Sequence, residues 1–375
     1  MTATTSATRL AKQTDTASAH GGFRQSRRIH NRQFTRNSRR WLRSIGERNP
    51  LFLNEGYAAT STVGTLVAHP LWLFSAADTI VTRGHPELHA MLAAVDWRFD
   101  RWVRVGDRVS PMSRMTEQRE TTSSFAGSVI LQTGETMFLG SDGRSLATAR
   151  TTTARFSREE AVARGKYTKD REPYRYSQED LFRIEDGYDH ETVRGARARW
   201  WEDVEIGDAL DPVVKGPLTS EDMLEFIGAT RPAPAYGRFD DQLEHEPGAG
   251  FLDDCGIREA WTASLIDASV AARIGLPGPH DAGMDRISWL GSLLTNWMGD
   301  DGFLSRFAVR LIRPVHLMDA VWCTGEVRDK HNSRGSKYVV CSVRAHNQRG
   351  ELTAEGTAEV ELPGRDGFHP LRSGR

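Results

Sequence analysis

The sequence is poor in cysteine, with only Cys255, Cys323 and Cys341 among 375 residues and no two at C-x-x-C spacing. An odd, scattered set supports neither a disulfide framework nor a zinc ribbon. Hydrophobic runs are short, and none approaches the roughly 18 apolar residues that a membrane-crossing helix needs. Charge of one sign is also missing: 49 basic side chains stand against 50 acidic ones, a formal net charge of −1. Such a balance gives no whole-chain attraction to nucleic acid or a membrane surface. The sequence contains no G-x-x-x-x-G-K-[ST], no G-x-S-x-G and no dinucleotide-binding glycine fingerprint, so no cofactor is expected. These exclusions leave a soluble protein, expected in the cytoplasm, long enough for two domains of ordinary size.

What is present begins with a basic segment. Residues 1–40 carry the pairs Arg27-Arg28 and Arg39-Arg40 against a single acid, Asp15. No apolar stretch follows either pair, so an export signal is not supported. A solvated, disordered tail is the first reading and an arm contacting a polyanion the second. Folded sequence starts near Trp41, and from Asp96 the pattern turns to strands. The alternation in Trp102-Val-Arg-Val105, then 128–139 and 146–156 about a Ser141-Asp-Gly143 turn, read as β. Residues 157–198 are highly charged and read as a helical linker.

The second half is plainer. Thr219-Ser-Glu-Asp222 has the form of a capping box. Over Asp285–Met298, Ile287, Leu290, Leu294 and Trp297 recur at three- and four-residue spacing, with Leu293 and Met298 widening the apolar surface. A helix buried on most sides follows from that width. Strands are expected over 307–312, 321–327, 338–345 and 353–362, with Asn332-Ser-Arg-Gly335 and Asn347-Gln-Arg-Gly350 as hairpin turns. A buried helix followed by an antiparallel meander is an α+β arrangement in which a sheet wraps a helix. Arg101–Val109 can be laid on Arg313–Val321 with the Arg, one Val, the Asp and the last Val coinciding at a constant offset of 212. An internal duplication is the reading.

Several stretches carry a family resemblance: Arg199-Trp-Trp-Glu-Asp-Val-Glu-Ile-Gly-Asp208, Gly275-Leu-Pro-Gly-Pro279, Arg286-Ile-Ser-Trp-Leu290 and Leu294-Thr-Asn-Trp-Met-Gly-Asp-Asp-Gly302. Ile45-Gly-Glu-Arg-Asn-Pro-Leu51 and Val67-Ala-His-Pro70 add to them in the first half. The chain resembles the MaoC-like, or R-specific enoyl-CoA hydratase, family in its fused double hot-dog form. The resemblance implies a hot-dog domain at 41–160, shaping the pocket, the charged linker at 161–198, and a catalytic hot-dog domain at 199–364 before a tail at 365–375. It also implies an acyl-CoA or acyl-carrier-protein substrate, and a homodimer or a companion hot-dog subunit as partner.

Family members add water across an enoyl thioester with an Asp and a His in the form Asp-x-Asn-Pro-x-His-x-Asp-x-x-x-Ala, and a later glycine stabilises the thioester oxygen. This sequence departs from that pattern. Aligned on Asp267 and Ala271, the His position holds Leu265 and the Asp position holds Ala260. In the first half, aligned on Asn49-Pro50, those positions hold Phe52 and Glu47. The resemblance makes Gly283 the oxyanion glycine, against the alternative of a mere tight turn. His280, with Asp281 orienting its imidazole, is the candidate replacement proton carrier, against a loop histidine and a helix-terminal charge. Asp267, Trp289 and Trp297 are candidates for the substrate-binding wall, Asp267 reading first as the cap of the helix that carries Ala271 and Arg273.

His85-Pro-Glu-Leu-His89 has i, i+4 spacing but no third ligand, so a metal is not expected. The irregular segment from Arg231 to Asp254 reads as a pocket wall or a disordered insertion. Three functions stay open: hydration or dehydration at the 2,3-position of an acyl thioester, ring closure or another addition on a specialised-metabolite intermediate, and a non-catalytic acyl-binding subunit.

Overall fold

The computed structural model describes residues 24–25, 32–34, 39–167, 172, 174–230, 247–333 and 335–370. Two short strands, β1 (Arg24–Gln25) and β2 (Arg32–Gln33), precede helices α1 (Arg39–Ser44), α2 (Pro50–Leu53), α3 (Glu55–Thr60) and α4 (Leu73–Ala76). Strands β3 (His89–Phe99), β4 (Arg108–Ser123), β5 (Gly127–Leu139) and β6 (Ser145–Phe156) complete the first half. Helices α5 (Arg158–Arg164) and α6 (Gln178–Asp189) lead into β7 (Ala209–Lys215) and α7 (Ser220–Thr230). A small hairpin, β8 (Gly250–Leu252) and β9 (Arg258–Ala260), precedes a 3-10 turn over Trp261–Leu265 and α8 (Ala268–Ala272). The long helix α9 (Met284–Met298) and the strands β10 (Phe303–Leu311), β11 (Val321–Ser333), β12 (Ser336–Asn347) and β13 (Leu352–Glu361) close the chain.

The main sheet has eleven strands in the order β1-β4-β5-β6-β3-β10-β13-β12-β11-β7, with β2 also on β4, and every pairing is antiparallel. The halves meet where β3 pairs with β10, from Arg306 opposite Arg98 to Arg310 opposite Ala94. Arg306 also reaches across that seam to Asp96 through two hydrogen bonds of 2.8 and 3.0 Å. Every residue of α9 is buried, as its broad apolar surface requires. The capping box at Thr219 and Asp222 is formed, with each residue bonded to the other's backbone N–H.

The duplication is visible in hydrogen bonds. Val67 bridges Arg104 as His280 bridges His316. Ala68 N–H donates to the Val103 carbonyl at 2.9 Å, and Asp281 N–H donates to the Val315 carbonyl at 2.8 Å. Asp107 accepts from Arg104 N–H at 2.8 Å, and Asp319 accepts from His316 N–H at 2.9 Å. The left-handed residue of that turn is Gly106 in one half and Met318 in the other. The copies differ in the element that follows. In the first half it is a 3-10 turn, Pro70–Trp72, running into four-residue α4, so only the second half holds the long wrapped helix.

Three expectations change. The chain over 102–105 is irregular apart from a single bridge at Arg104, and the strand there is β4, whose mixed polar surface concealed it. Parts of the expected basic tail belong to the fold: β1 and β2 pair with β4, and Phe34 is buried against Trp72. The last described residues are also held, Arg365 by Asp203 and His369 near Asp301. Among the described residues, no helix is long and apolar enough to cross a membrane.

The first-half segment is tied to α9 through Glu47, whose Oε2 accepts from Ser292 at 2.7 Å and lies 3.7 Å from His69 Nε2. His69 Nδ1 accepts from Leu71 N–H, and burial pushes its pKa down to about 3. An unfolded imidazole takes a proton near 6.5, so between those values the unfolded chain binds a proton that the folded chain refuses. The His69 contribution to stability therefore falls as pH drops from about 6.5 toward 3 and levels off below. His89, also pushed down to about 3, adds to the slope. His69→Asn keeps an acceptor for Leu71 without titrating, and its urea midpoint should fall less between pH 7 and pH 5. Equal falls in both proteins would remove His69 from the account.

Candidate active site

The site is built at the N-terminus of α9. Gly283 caps it at φ 77, a conformation costly for residues with a side chain. A Cβ there would stand 2.5 Å from Leu311 Cδ1 and 3.7 Å from Leu92 Cδ2. Leu311 ends β10 and Leu92 lies in β3, so the helix terminus faces the seam between halves. Counted from the bridging residue of each half, the counterpart of Gly283 is Pro70, which has no N–H to donate, the cap of that turn being His69. The counterpart of His280 is Val67. The first half keeps an imidazole at its own terminus, His69, but its Nδ1 is taken by Leu71 N–H and its Nε2 faces Glu47.

His280 is 5% exposed. Its Nδ1 lies 2.7 Å from the Asp281 carbonyl. A carbonyl only accepts, so Nδ1 carries the proton. Burial lowers the imidazole's pKa, outweighing the opposing Asp281 charge, and keeps the ring neutral. Nε2 is then left with its lone pair, 3.4 Å from Ser264 Oγ. Ser264 precedes Leu265, the position where the resemblance places the missing histidine. An imidazole thus returns to that neighbourhood from the opposite loop.

Asp281 orients this ring through its backbone. Its carboxylate, expected to do so, is instead gripped by Arg286 Nε and Nη2, both at 2.9 Å, and by Val315 N–H at 3.1 Å. Arg286 Nη1 donates to the Arg313 and Thr353 carbonyls at 2.6 Å each. The pair fastens the loop, the helix and the strands on either side into one block.

The expected wall residues do not gather here. Asp267 is exposed and caps α8, accepting from Ser269 N–H at 2.7 Å and Val270 N–H at 3.1 Å. Trp297 stands fourteen residues, about 21 Å at the helical rise, beyond Gly283 and under the Arg199 guanidinium. Trp289 is buried in the core, six residues along the same helix. His85-Pro-Glu-Leu-His89 is a turn running into β3, and no three His, Cys, Asp or Glu side chains converge on a metal site among the described residues. Of the insertion, 231–246 lie outside the described residues, and 247–254 form a 3-10 turn and β8, whose partner β9 leads to Ser264.

Other residues escaped the sequence reading. His89 comes from the first half, its ring 6.0 Å from Trp261 and its pKa lowered by burial, Arg158 and His280. Arg158 lies over Trp261 at 4.1 Å. Asp285, in the first turn of α9, is buried, with one oxygen bonded to Arg286 N–H. Only the His85 to His89 spacing had drawn attention to any of them. The groove of about 710 Å³ on the sheet, lined by Asp96, Arg150, Arg310 and Arg344, includes none of these residues.

The Asp281–Arg286 pair predicts a non-additive response. Arg286→Met strands a buried carboxylate and should cost about 3–5 kcal/mol. Adding Asp281→Asn should recover part of that loss in chemical unfolding. Additive losses would show that the two side chains act separately.

Comparison with known proteins agrees with this architecture. Residues 34–149 match the dehydratase domain region described as FAS1-like. A solved MaoC-like dehydratase superposes with a TM-score of 0.66 at 18% identity, over 92% of this chain and 99% of the other. A putative MaoC domain dehydratase from Chloroflexus aurantiacus gives 0.56 at 14% identity, over 93% and 99%. A Mycobacterium tuberculosis protein described as having a double hot-dog fold gives 0.56 at 12%, over 91% and 96%. No curated protein matches the chain by sequence. The chain is a double hot-dog protein with the fold of the MaoC-like dehydratases.

Proposed function

We propose that this protein is a cytoplasmic hydro-lyase that adds water to, or removes it from, the 2,3-position of an acyl thioester. The observation that carries the reading is His280 Nε2 beside Ser264, an imidazole supplied next to the position from which the family's own is missing. In the hydration direction, the thioester oxygen lies against Gly283 N–H at the positive end of α9. His280 Nε2 takes a proton from water, whose oxygen bonds to C3, and the π electrons move toward the thioester oxygen. The imidazolium then gives its proton to C2, restoring the carbonyl. Asp281 holds the imidazole tautomer through its carbonyl and, through Arg286, holds the loop. The first half, with Pro70 and Val67 at the matching places, shapes the acyl pocket. CoA and carrier-protein thioesters both suit this chemistry.

A second enzymatic reading, ring closure or another addition on a specialised-metabolite intermediate, uses the same oxyanion donor without the family dyad. The non-catalytic reading makes the chain an acyl-binding partner in a hot-dog complex.

Loss of enoyl absorbance with short and long 2-enoyl-CoA thioesters tests the three. The parent should turn them over, and His280→Ala should reduce kcat about 10²- to 10⁴-fold, the usual worth of a positioned proton carrier. Because burial lowers its pKa, activity should persist on the acid side below the ordinary histidine value of about 6.5. Undiminished activity in His280→Ala would remove His280 from the mechanism. An inert parent would favour the other readings.

A further inference from the structure

Asp285 is the second residue of α9, 1% exposed, in the turn that begins at Gly283. Its Oδ1 accepts from Arg286 N–H at 2.9 Å, which folds the side chain toward the N-terminal end of the helix. Its Oδ2 is buried and has no hydrogen-bond partner among the described residues. The adjacent guanidinium is already committed, two nitrogens to Asp281 and the third to carbonyls. Asp281 and Arg286 cancel one another, so ionised Asp285 would be a buried negative charge without a counter-ion.

The opposing terms can be weighed. Holding a buried, uncompensated ion costs several kcal/mol even after relaxation. A helix N-terminus and one backbone N–H offset part of that cost. The nearby Asp281 carboxylate works against ionisation as well. Burial first, and then that charge, hold the Asp285 carboxyl well above the usual carboxylate range. A neutral carboxyl has a proton to donate, yet Oδ2 has no acceptor within the described chain.

We propose that Asp285 is a further catalytic residue, a neutral carboxylic acid whose Oδ2–H donates to the thioester oxygen alongside Gly283 N–H. This rests on the acyl-thioester reading above and deepens it: the ligand of this helix terminus is a carbonyl oxygen that gains negative charge during reaction. Asp285 keeps its proton throughout. His280 carries the proton from water to C2, and the donated hydrogen bond strengthens as charge reaches the oxygen and relaxes when the carbonyl re-forms.

The titratable and charged groups around this end are His280 and Asp281 on the preceding loop, Arg286 in the helix, His316 and Arg313 after β10, and His89 from β3 beside His280. Lowered imidazole pKa values at His280 and His89 put their titration on the acid side. Ionisation of Asp285 should therefore produce an alkaline limb of its own, with kcat falling as pH rises. Asp285→Asn retains an N–H donor and should lose that limb while keeping kcat within about tenfold. Asp285→Ala removes the donor and should lose about 10²- to 10³-fold in kcat with KM little changed.

The deciding measurement is the infrared carboxylic-acid carbonyl band of the full chain at neutral pH, as a difference spectrum against Asp285→Asn. The band should be present in the parent and should shift when a saturated acyl-CoA thioester is added. Its absence, or indifference to the thioester, overturns the proposal whatever the reaction proves to be. So does an Asp285→Ala variant with undiminished kcat. If the band shifts and no enoyl thioester is turned over, the hydro-lyase reading fails while Asp285 stands as the donor to a bound acyl group.

Discussion

The Arg286–Asp281 ion pair is the constraint on which the candidate site depends. One guanidinium closes on the loop before α9, on the strand end after β10 and on the start of β13. With the Asp281 side chain fixed there, its carbonyl is left to hold His280 in one tautomer. The same pairing uses up the local positive charge, so burial and the Asp281 carboxylate hold the Asp285 carboxyl above the usual carboxylate range. A buried ion pair is weak evidence for stability. Its value here lies in fixing which neighbouring groups carry protons.

The duplicated turn explains how one site can come from two similar halves. The loop before the helix, its backbone bonds and its Asp turn are repeated, so the scaffold is the same. Substituting Pro70 for Gly283 and Val67 for His280 removes a donor and a titratable ring without disturbing that scaffold. At the start of the short helical element at 70–76, His69 lies against Glu47, which accepts from Ser292 and so joins the first-half segment to α9.

Much of this was legible in the sequence, where local pattern and burial coincide. The breadth of apolar positions over 285–298 gave the wrapped helix, and the meander with its Asn/Gly turns followed β11 to β13 closely. Strand β4 was missed because polar residues occupy much of both faces, so it has no apolar period to read. The roles at the site were harder. Asp281 and His280 are neighbours in sequence, which suggested carboxylate-to-ring contact, but Asp281 is taken by a residue five positions on. Asp267 could be read as a helix cap from its place before Ala268–Ala272, and it is one. Asp285 stood out only as the start of the helical pattern. Only burial together with Arg286's prior commitment distinguishes it, and neither is a property of spacing.

The seam between β3 and β10 has one more consequence. Two hot-dog units held by strand pairing within a single polypeptide meet at an effective concentration set by the chain between them, independent of how dilute the protein becomes. Their association is unimolecular. Substitutions also enter one unit at a time, whereas in a symmetric pair of identical chains each change is made twice. Asymmetry of the kind seen at Gly283 and Pro70 is open to a fused chain and closed to a homodimer of single units.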